Sequence, residues 1–210
     1  MDFWESLAAR MPRNLDYETL YEQFAWDLPH TYNMGVDICD RNAVDRGKLA
    51  IIHDRGNGDV EKWTFFELKR ASDRFANALR GFGVERGDRV AILLTHSPEL
   101  PIAHAATYKL GAIAVPLFTL FGEEALRFRL EDSGAKVLVT YVEHQEGAST
   151  LREEVEGLEH VVLTDGEAAG AENFYDLVKD SSSRFVPEKT APEDPAIIIY
   201  TSGTTGAPKG

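Results

Sequence analysis

Cysteine is nearly absent from the chain. Cys39 stands alone, which excludes an internal disulfide and any Cys-rich zinc module. Cations are also scarce: Lys and Arg total 22 against 35 Asp and Glu, a formal charge of −13. Nucleic-acid binding needs clustered cations to neutralise phosphates, and an anionic membrane surface needs the same. That balance argues against both partners. Long apolar runs are missing too. The longest uncharged apolar stretch, Leu110 to Gly122, is too short to span a bilayer and contains Pro116. Met1-Asp2-Phe3-Trp4-Glu5 lacks the basic and apolar regions of a signal peptide. The expectation is an acidic, cytoplasmic, globular protein with no membrane span.

What is present is a core. The apolar fraction is 43%, with 10% aromatic, and 210 residues suffice to bury it as one large or two small domains. The acid excess is concentrated between Glu143 and Asp194. Solvated helix faces account for it most simply, with salt adaptation as the alternative.

Val36, Ile38, Cys39, Ala43 and Val44 fit one face of a short helix ending near Gly47. Leu49–Asp54 and Val60–Thr64 are β-rich runs around a Gly- and Asn-containing turn, the pattern of a hairpin. Thr64-Phe65-Phe66-Glu67 is a capping box, and Leu68, Ala71, Phe75, Ala78, Leu79 and Phe82 follow as one apolar stripe. Gly81 and Gly83 supply the stop.

From Arg89 the rhythm changes. β-rich runs begin at Arg89, Ala112, Lys136 and His160, spaced 23, 24 and 24 residues apart, and a fifth covers Ala196–Thr201. Helical segments lie between them at Glu99–Leu110, Glu123–Asp132 and Thr150–Glu156. Strand, helix, strand at that spacing predicts right-handed crossovers in a parallel sheet. Val90–Leu94 and Ile197–Ile199 are continuously apolar, as strands covered on both faces should be. Asp165–Pro195 reads as a looser acidic connection with one amphipathic piece at Phe174–Val178. The fold class is therefore α/β, with residues 1–88 as a helix, hairpin and helix lead-in and residues 89–210 as the β/α repeat.

The most informative segment is Tyr200-Thr201-Ser202-Gly203-Thr204-Thr205-Gly206-Ala207-Pro208-Lys209-Gly210. Glycines let backbone amides approach anionic oxygens, hydroxyls donate to the same oxygens, and lysine adds a point charge. That chemistry suits a polyphosphate; a flexible polar turn is the bland alternative. The P-loop pattern G-x-x-x-x-G-K-[ST] fails, since Pro208 stands five residues after Gly203 and Gly210 follows Lys209. Gly81 to Gly87 also fails as a dinucleotide motif, because Arg86 stands where the third glycine belongs. Thr95-His96-Ser97 lacks the glycines of a nucleophile elbow, and Ser97-Pro98 reads as the cap and first residue of a helix. His104 has no partner histidine at metal spacing, and Cys39 reads as a small core residue.

Tyr200–Gly210 resembles the phosphate-binding signature of the adenylate-forming superfamily, which holds acyl-CoA synthetases, luciferase-like enzymes and peptide-synthetase adenylation domains. Trp63–Leu68 is similar to the first core motif of that family. Tyr108–Leu117 is similar to the second, and Glu131–Lys136 resembles the helix-to-strand turn that often follows. Pro116–Gly122, Leu130–Gly134 and Asp37–Arg41 look most like short- and medium-chain acyl-CoA synthetases.

The resemblance implies a parallel β/α sheet of the adenylate-forming N-terminal domain, incomplete at residue 210. It implies that Thr201, Ser202, Gly203, Thr204, Thr205, Gly206 and Lys209 bind ATP phosphates. The implied reaction joins a small carboxylic acid to AMP and passes the acyl group to coenzyme A, with ATP as substrate and Mg2+ beside it. Alternatives are an adenylating enzyme that does not use CoA and a non-catalytic nucleotide-binding module. The family's later motifs, including its magnesium-binding acid and adenylation lysine, have no counterpart in the 210 residues. No catalytic residue or metal ligand is therefore assigned, and the chain is expected to be inactive alone, with apolar surface exposed beside its sheet.

Overall fold

The computed structural model describes residues 16–25, 28–141, 151–201 and 209–210. The chain divides into two compact units, Met1–His30 and Thr31–Gly210. In the first, α1 (Tyr17–Gln23) is capped by Asp16, whose carboxylate accepts from the Thr19 amide at 3.0 Å.

The second unit opens with α2 (Met34–Ile38), a 3-10 turn (Asp40–Val44), and the hairpin β1 (Leu49–Asp54) and β2 (Val60–Thr64). The single helix expected across Val36–Val44 is broken at Cys39. Cys39 and Ala43 are buried, but Val44 is 87% exposed, because the switch to 3-10 winding rotates it off the inner face. Helix α3 (Phe65–Gly81) starts with the expected capping box: Thr64 Oγ1 accepts from the Glu67 amide, and the Glu67 carboxylate accepts from the Thr64 amide. Its buried stripe of Leu68, Ala71, Phe75, Ala78 and Leu79 faces the core.

The β/α repeat follows as β3 (Arg89–Ile92), α4 (Glu99–Lys109), β4 (Ile113–Pro116), α5 (Glu123–Ser133), β5 (Ala135–Thr140), β6 (His160–Leu163), β7 (Glu172–Asn173) and α6 (Phe174–Asp180). Residues 151–154 are also helical; Thr150, the expected start of that helix, lies outside the described residues. The helix start at Ser97 moves by one residue, since Pro98 is the N-cap of α4.

The sheet is parallel, in the order β4-β3-β5-β6-β7. Interior strand β3 shows why the run Val90–Leu94 is apolar throughout. Val90, Ile92 and Leu94 pack with α3 and α4 on one face, while Ala91 and Leu93 pack with α5 and residues 151–158 on the other. The result is an α/β/α sandwich whose two cores share one sheet.

Charge is buried inside the first layer. The Lys109 ammonium is fully buried and lies 2.6 Å from Asp73 Oδ1, 2.7 Å from Asp40 Oδ1 and 2.9 Å from Ser72 Oγ. Lys69 joins the same group, 2.5 Å from Asp73 Oδ2 and 3.4 Å from Asp40 Oδ2. Two cations and two anions thus lock α3, α4 and the 3-10 turn together.

Candidate functional site

The segment that leads to the glycine-rich loop is a strap across α3. Residues 181–195 have almost no regular structure, so their carbonyls need donors from elsewhere. Helix α3 supplies them from one outer stripe. Arg74 Nη1 donates to the carbonyls of Val178 and Lys179 at the end of α6, at 3.1 and 2.9 Å, and to that of Ser181 at the start of the strap, at 2.5 Å. Asn77 donates to Ser182 and Arg184 at 2.7 and 3.0 Å. Arg80 reaches Glu188 at 3.2 Å and lies over the Phe185 ring. Further on, Arg86 pairs with Asp194 at 2.5 Å, and the Thr190 hydroxyl donates to the Tyr32 carbonyl at 2.6 Å.

The strap delivers the chain to the outer edge of β4. Ile197 bridges Ala114 in parallel register: the Ala114 amide donates to the Ala196 carbonyl and the Ile198 amide to the Ala114 carbonyl, both at 2.9 Å. The run Ala196–Thr201 is therefore an edge segment, not the doubly covered strand that its composition implies. Ile197 is 40% exposed and Ile199 59% exposed, while Ile198 packs on the core, so the face that Ile197 and Ile199 share is uncovered among the described residues. Phe118 and Leu120, after β4, are exposed as well, in line with the apolar surface expected beside the sheet.

Tyr200 then turns onto α5. Its hydroxyl donates to Asp132 Oδ2 at 2.6 Å, and its ring meets Phe128 edge-on with centroids 6.4 Å apart. The Arg129 guanidinium lies 5.5 Å from the Tyr200 ring and 3.9 Å from Phe121. Burial and the Asp132 carboxylate together push the Tyr200 hydroxyl up to about 12, so it stays protonated and donating at neutral pH. The Asp132–Ser133–Gly134 turn is itself fixed. Gly134 takes the left-handed conformation (φ +60°) that ends α5, and Arg89 donates to the Ser133 and Gly134 carbonyls at 2.5 and 2.6 Å.

Beyond Tyr200, Thr201 and Lys209 form an antiparallel bridge. The Thr201 amide donates to the Lys209 carbonyl at 2.9 Å, and the Lys209 amide to the Thr201 carbonyl at 3.2 Å. These two residues close the loop at its base, and both are exposed. Ser202, Gly203, Thr204, Thr205 and Gly206, the other expected phosphate-binding residues, lie outside the described residues. Gly210 completes the base. A Cβ there would sit 2.9 Å from the Tyr200 ring and 2.8 Å from Ile198 Cγ2, so any other residue would push one of these side chains aside.

Chain pattern and geometry converge in known proteins. Residues 39–210 match the AMP-binding enzyme family. The chain belongs to that family. It is 39% identical to an acetyl-coenzyme A synthetase of Bacillus subtilis over 93% of its length, and 32% identical to one of Chromobacterium violaceum over all of it. It covers 36% of each, so the chain spans about a third of the curated relatives it matches. Among solved structures, the anthranilate CoA ligase AuaEII in complex with anthranoyl-AMP superposes with a TM-score of 0.80 at 32% identity, covering 87% of this chain and 34% of that one. An acyl-CoA synthetase of Brucella canis superposes with a TM-score of 0.79 at 28% identity, covering 100% of this chain and 38% of that one.

Membership gives the four matching segments a common physical sense. The first places the Thr64 cap that starts α3. The second carries Lys109 and strand β4, and the helix-to-strand turn carries Asp132. The loop motif is held by β4 and by α5. The residues that sequence reasoning left without a role are Asp132, Arg129 and the donors Arg74, Asn77 and Arg80. Phe128 and Asp132 stand four apart on α5, which puts both on one face, but nothing in that spacing points to Tyr200.

Proposed function

We propose that this chain carries the ATP-phosphate-binding part of an AMP-forming acyl-CoA ligase. The whole reaction joins a short- or medium-chain carboxylate to the α-phosphate of ATP, with release of pyrophosphate. The acyl-adenylate then passes its acyl group to the thiol of coenzyme A, with release of AMP. The observation that carries the reading is the Thr201–Lys209 bridge, which holds the two ends of a Gly-, Ser- and Thr-rich loop side by side at a sheet edge. Acetyl-CoA synthetases and CoA ligases among the relatives support coenzyme A as the acceptor.

In this reading Thr201, Ser202, Thr204 and Thr205 donate hydroxyl hydrogen bonds to the β- and γ-phosphates. Gly203 and Gly206 present backbone amides, and Lys209 neutralises charge. The loop orients ATP and stabilises charge on the departing pyrophosphate; it supplies no nucleophile. Among the described residues no group of three or more His, Cys, Asp or Glu side chains could hold a metal. Mg2+ belongs here with the nucleotide, where it would offset phosphate charge. Residues 1–88 serve as the lead-in and 89–210 as the β/α repeat that presents the loop. We place the protein in the cytoplasm; among the described residues no helix is long and apolar enough to cross a membrane.

Titration of MgATP into the purified chain tests the assignment. Lys209→Ala should weaken binding by about tenfold, the loss of one charge-assisted contact. Equal affinity in the two proteins would refute the phosphate role of Lys209.

A further inference from the structure

We propose that Asp132, through its hydrogen bond with the Tyr200 hydroxyl, is a positioning residue for the phosphate loop; this deepens the function proposed above and rests on it. Little else holds the base of the loop. Thr201 and Lys209 share two backbone hydrogen bonds, both at the surface. A single antiparallel bridge has little stability of its own in water. The parallel ladder on β4 reaches Ile198, where the amide donates to Ala114. The side chain of Tyr200 is the next anchor, one peptide bond before Thr201.

That side chain meets both ends of the loop. It precedes Thr201 covalently, and Gly210 packs against its ring so closely that a Cβ would be 2.9 Å away. The ring is in turn fixed by α5. Asp132, an exposed carboxylate at the end of α5, accepts from the half-buried hydroxyl at 2.6 Å, the Arg129 carbonyl is a weaker second acceptor at 3.5 Å, and Phe128 meets the ring edge-on. Arg129 braces the assembly from below. It is 6% exposed, it donates to the Ala125 carbonyl at 2.7 Å, and its guanidinium contacts the Phe121 and Tyr200 rings. Asp132 is further held by the turn that Arg89 clamps, and Arg89 lies at the start of interior strand β3. A continuous path therefore runs from the sheet through Arg89, the α5 turn, Asp132 and Tyr200 to the loop. None of these side chains touches phosphate in this scheme. Their role is to fix where Thr201 and Lys209 stand.

The test uses Asp132→Ala, Asp132→Asn, Tyr200→Phe and the double variant Asp132→Ala/Tyr200→Phe of the whole chain. The first measurement needs no ligand: amide hydrogen exchange at Thr201 and Lys209, with Val139 of β5 as an internal reference. Asp132→Ala and Tyr200→Phe should each lower protection at Thr201 and Lys209 by about tenfold, the loss expected of one hydrogen bond to a charged acceptor, while Val139 is unchanged. Asp132→Asn keeps an acceptor oxygen and should restore protection to within about threefold. The second measurement is MgATP affinity by calorimetry. Both single variants should weaken it by about tenfold, the double variant no further, and Asp132→Asn should rescue it. Unchanged protection in Tyr200→Phe would overturn the positioning role. So would lost protection with unchanged MgATP affinity, or failure of Asp132→Asn to rescue. If Asp132→Ala does not fold, Tyr200→Phe, which removes one oxygen, decides the matter. If the wild-type chain itself does not bind MgATP, the phosphate reading falls, and the exchange data still decide whether Asp132 positions the loop base.

Discussion

Lys109→Met should destabilise the chain by about 3 kcal/mol. The Lys109 side chain is fully buried, Asp73 is 2% exposed and Asp40 13% exposed, so all three charges lie in a region of weak screening. Removing one partner of such a group leaves an uncompensated carboxylate, typically at a cost of ~3–5 kcal/mol. Lys69 limits the damage. Burial works against its charge, but the hydrogen bond to Asp73 and the charges of Asp40 and Asp73 outweigh that, so its pKa is raised and it remains a cation at neutral pH. It already sits 2.5 Å from Asp73, which puts the loss at the low end of that range. Methionine keeps the unbranched stem, so the loss is electrostatic and not a cavity. The assay is urea unfolding followed by far-UV circular dichroism. With a slope of ~2 kcal/mol per molar urea, the midpoint should fall by about 1.5 M. Asp73→Asn in the Lys109→Met background removes the stranded charge and should return ~1–2 kcal/mol, a clear departure from additivity. Lys69→Met, whose side chain is 33% exposed, should cost ~1 kcal/mol at most. A Lys109→Met midpoint within about 0.5 M of wild type, or strictly additive losses in the double variant, would refute the claim that these charges are buried as a unit.

Two further outcomes follow from buried or coupled groups. Cys39 is fully buried and burial pushes its thiol up to about 11, so it should resist iodoacetamide at pH 7.4 in the folded chain and react once urea unfolds it; labelling at the same rate in both states would show that it is accessible. Asp88 accepts from Lys136 at 2.7 Å and from the Glu85 amide at 2.9 Å. Burial raises its pKa, but these contacts outweigh burial and hold the carboxyl below its ordinary value. A depressed folded pKa contributes stability that is full above the unfolded value, near pH ~4, and fades as pH falls through the folded one. The stability gap between wild type and Asp88→Asn, about 1 kcal/mol at pH 7, should therefore shrink between pH 4 and pH 2. A gap that stays constant over that interval would contradict the assignment.

The parts of the fold that read correctly from the sequence are those encoded by local chemistry. The capping box at Thr64, the hairpin around Gly56 and Gly58, and the strands at Arg89, Ala112, Lys136 and His160 each depend on residues close together in the chain. Each begins within one residue of expectation, although β3 ends at Ile92, three residues before the expected Thr95. The failures share a different cause. Cys39 breaks one apolar pattern into an α-turn and a 3-10 turn because tertiary burial of Cys39 and Ala43 outweighs the i, i+4 rhythm of Val36 to Val44. Ile197–Ile199 reads as a strand buried on both faces because apolarity records a need for cover without saying what provides it; two of its three isoleucines are exposed.

The same distinction applies to the candidate site. The residue types from Thr201 to Lys209 announce phosphate chemistry locally, but their placement depends on distant partners. Residues 181–195 make no ladder of their own, so every carbonyl they bury must find a donor elsewhere. Arg74, Asn77 and Arg80 look in sequence like the solvated face of an amphipathic helix, and the structure uses that face to bind the strap leading to the loop. Asp132 looks like one more acid in an acidic chain, yet it accepts from the tyrosine that precedes the loop. A polar stripe and a lone carboxylate carry no local mark of such partners, since a hydrogen bond across 68 residues has no period. In this chain the chemistry of the site is local in sequence, and its geometry is not.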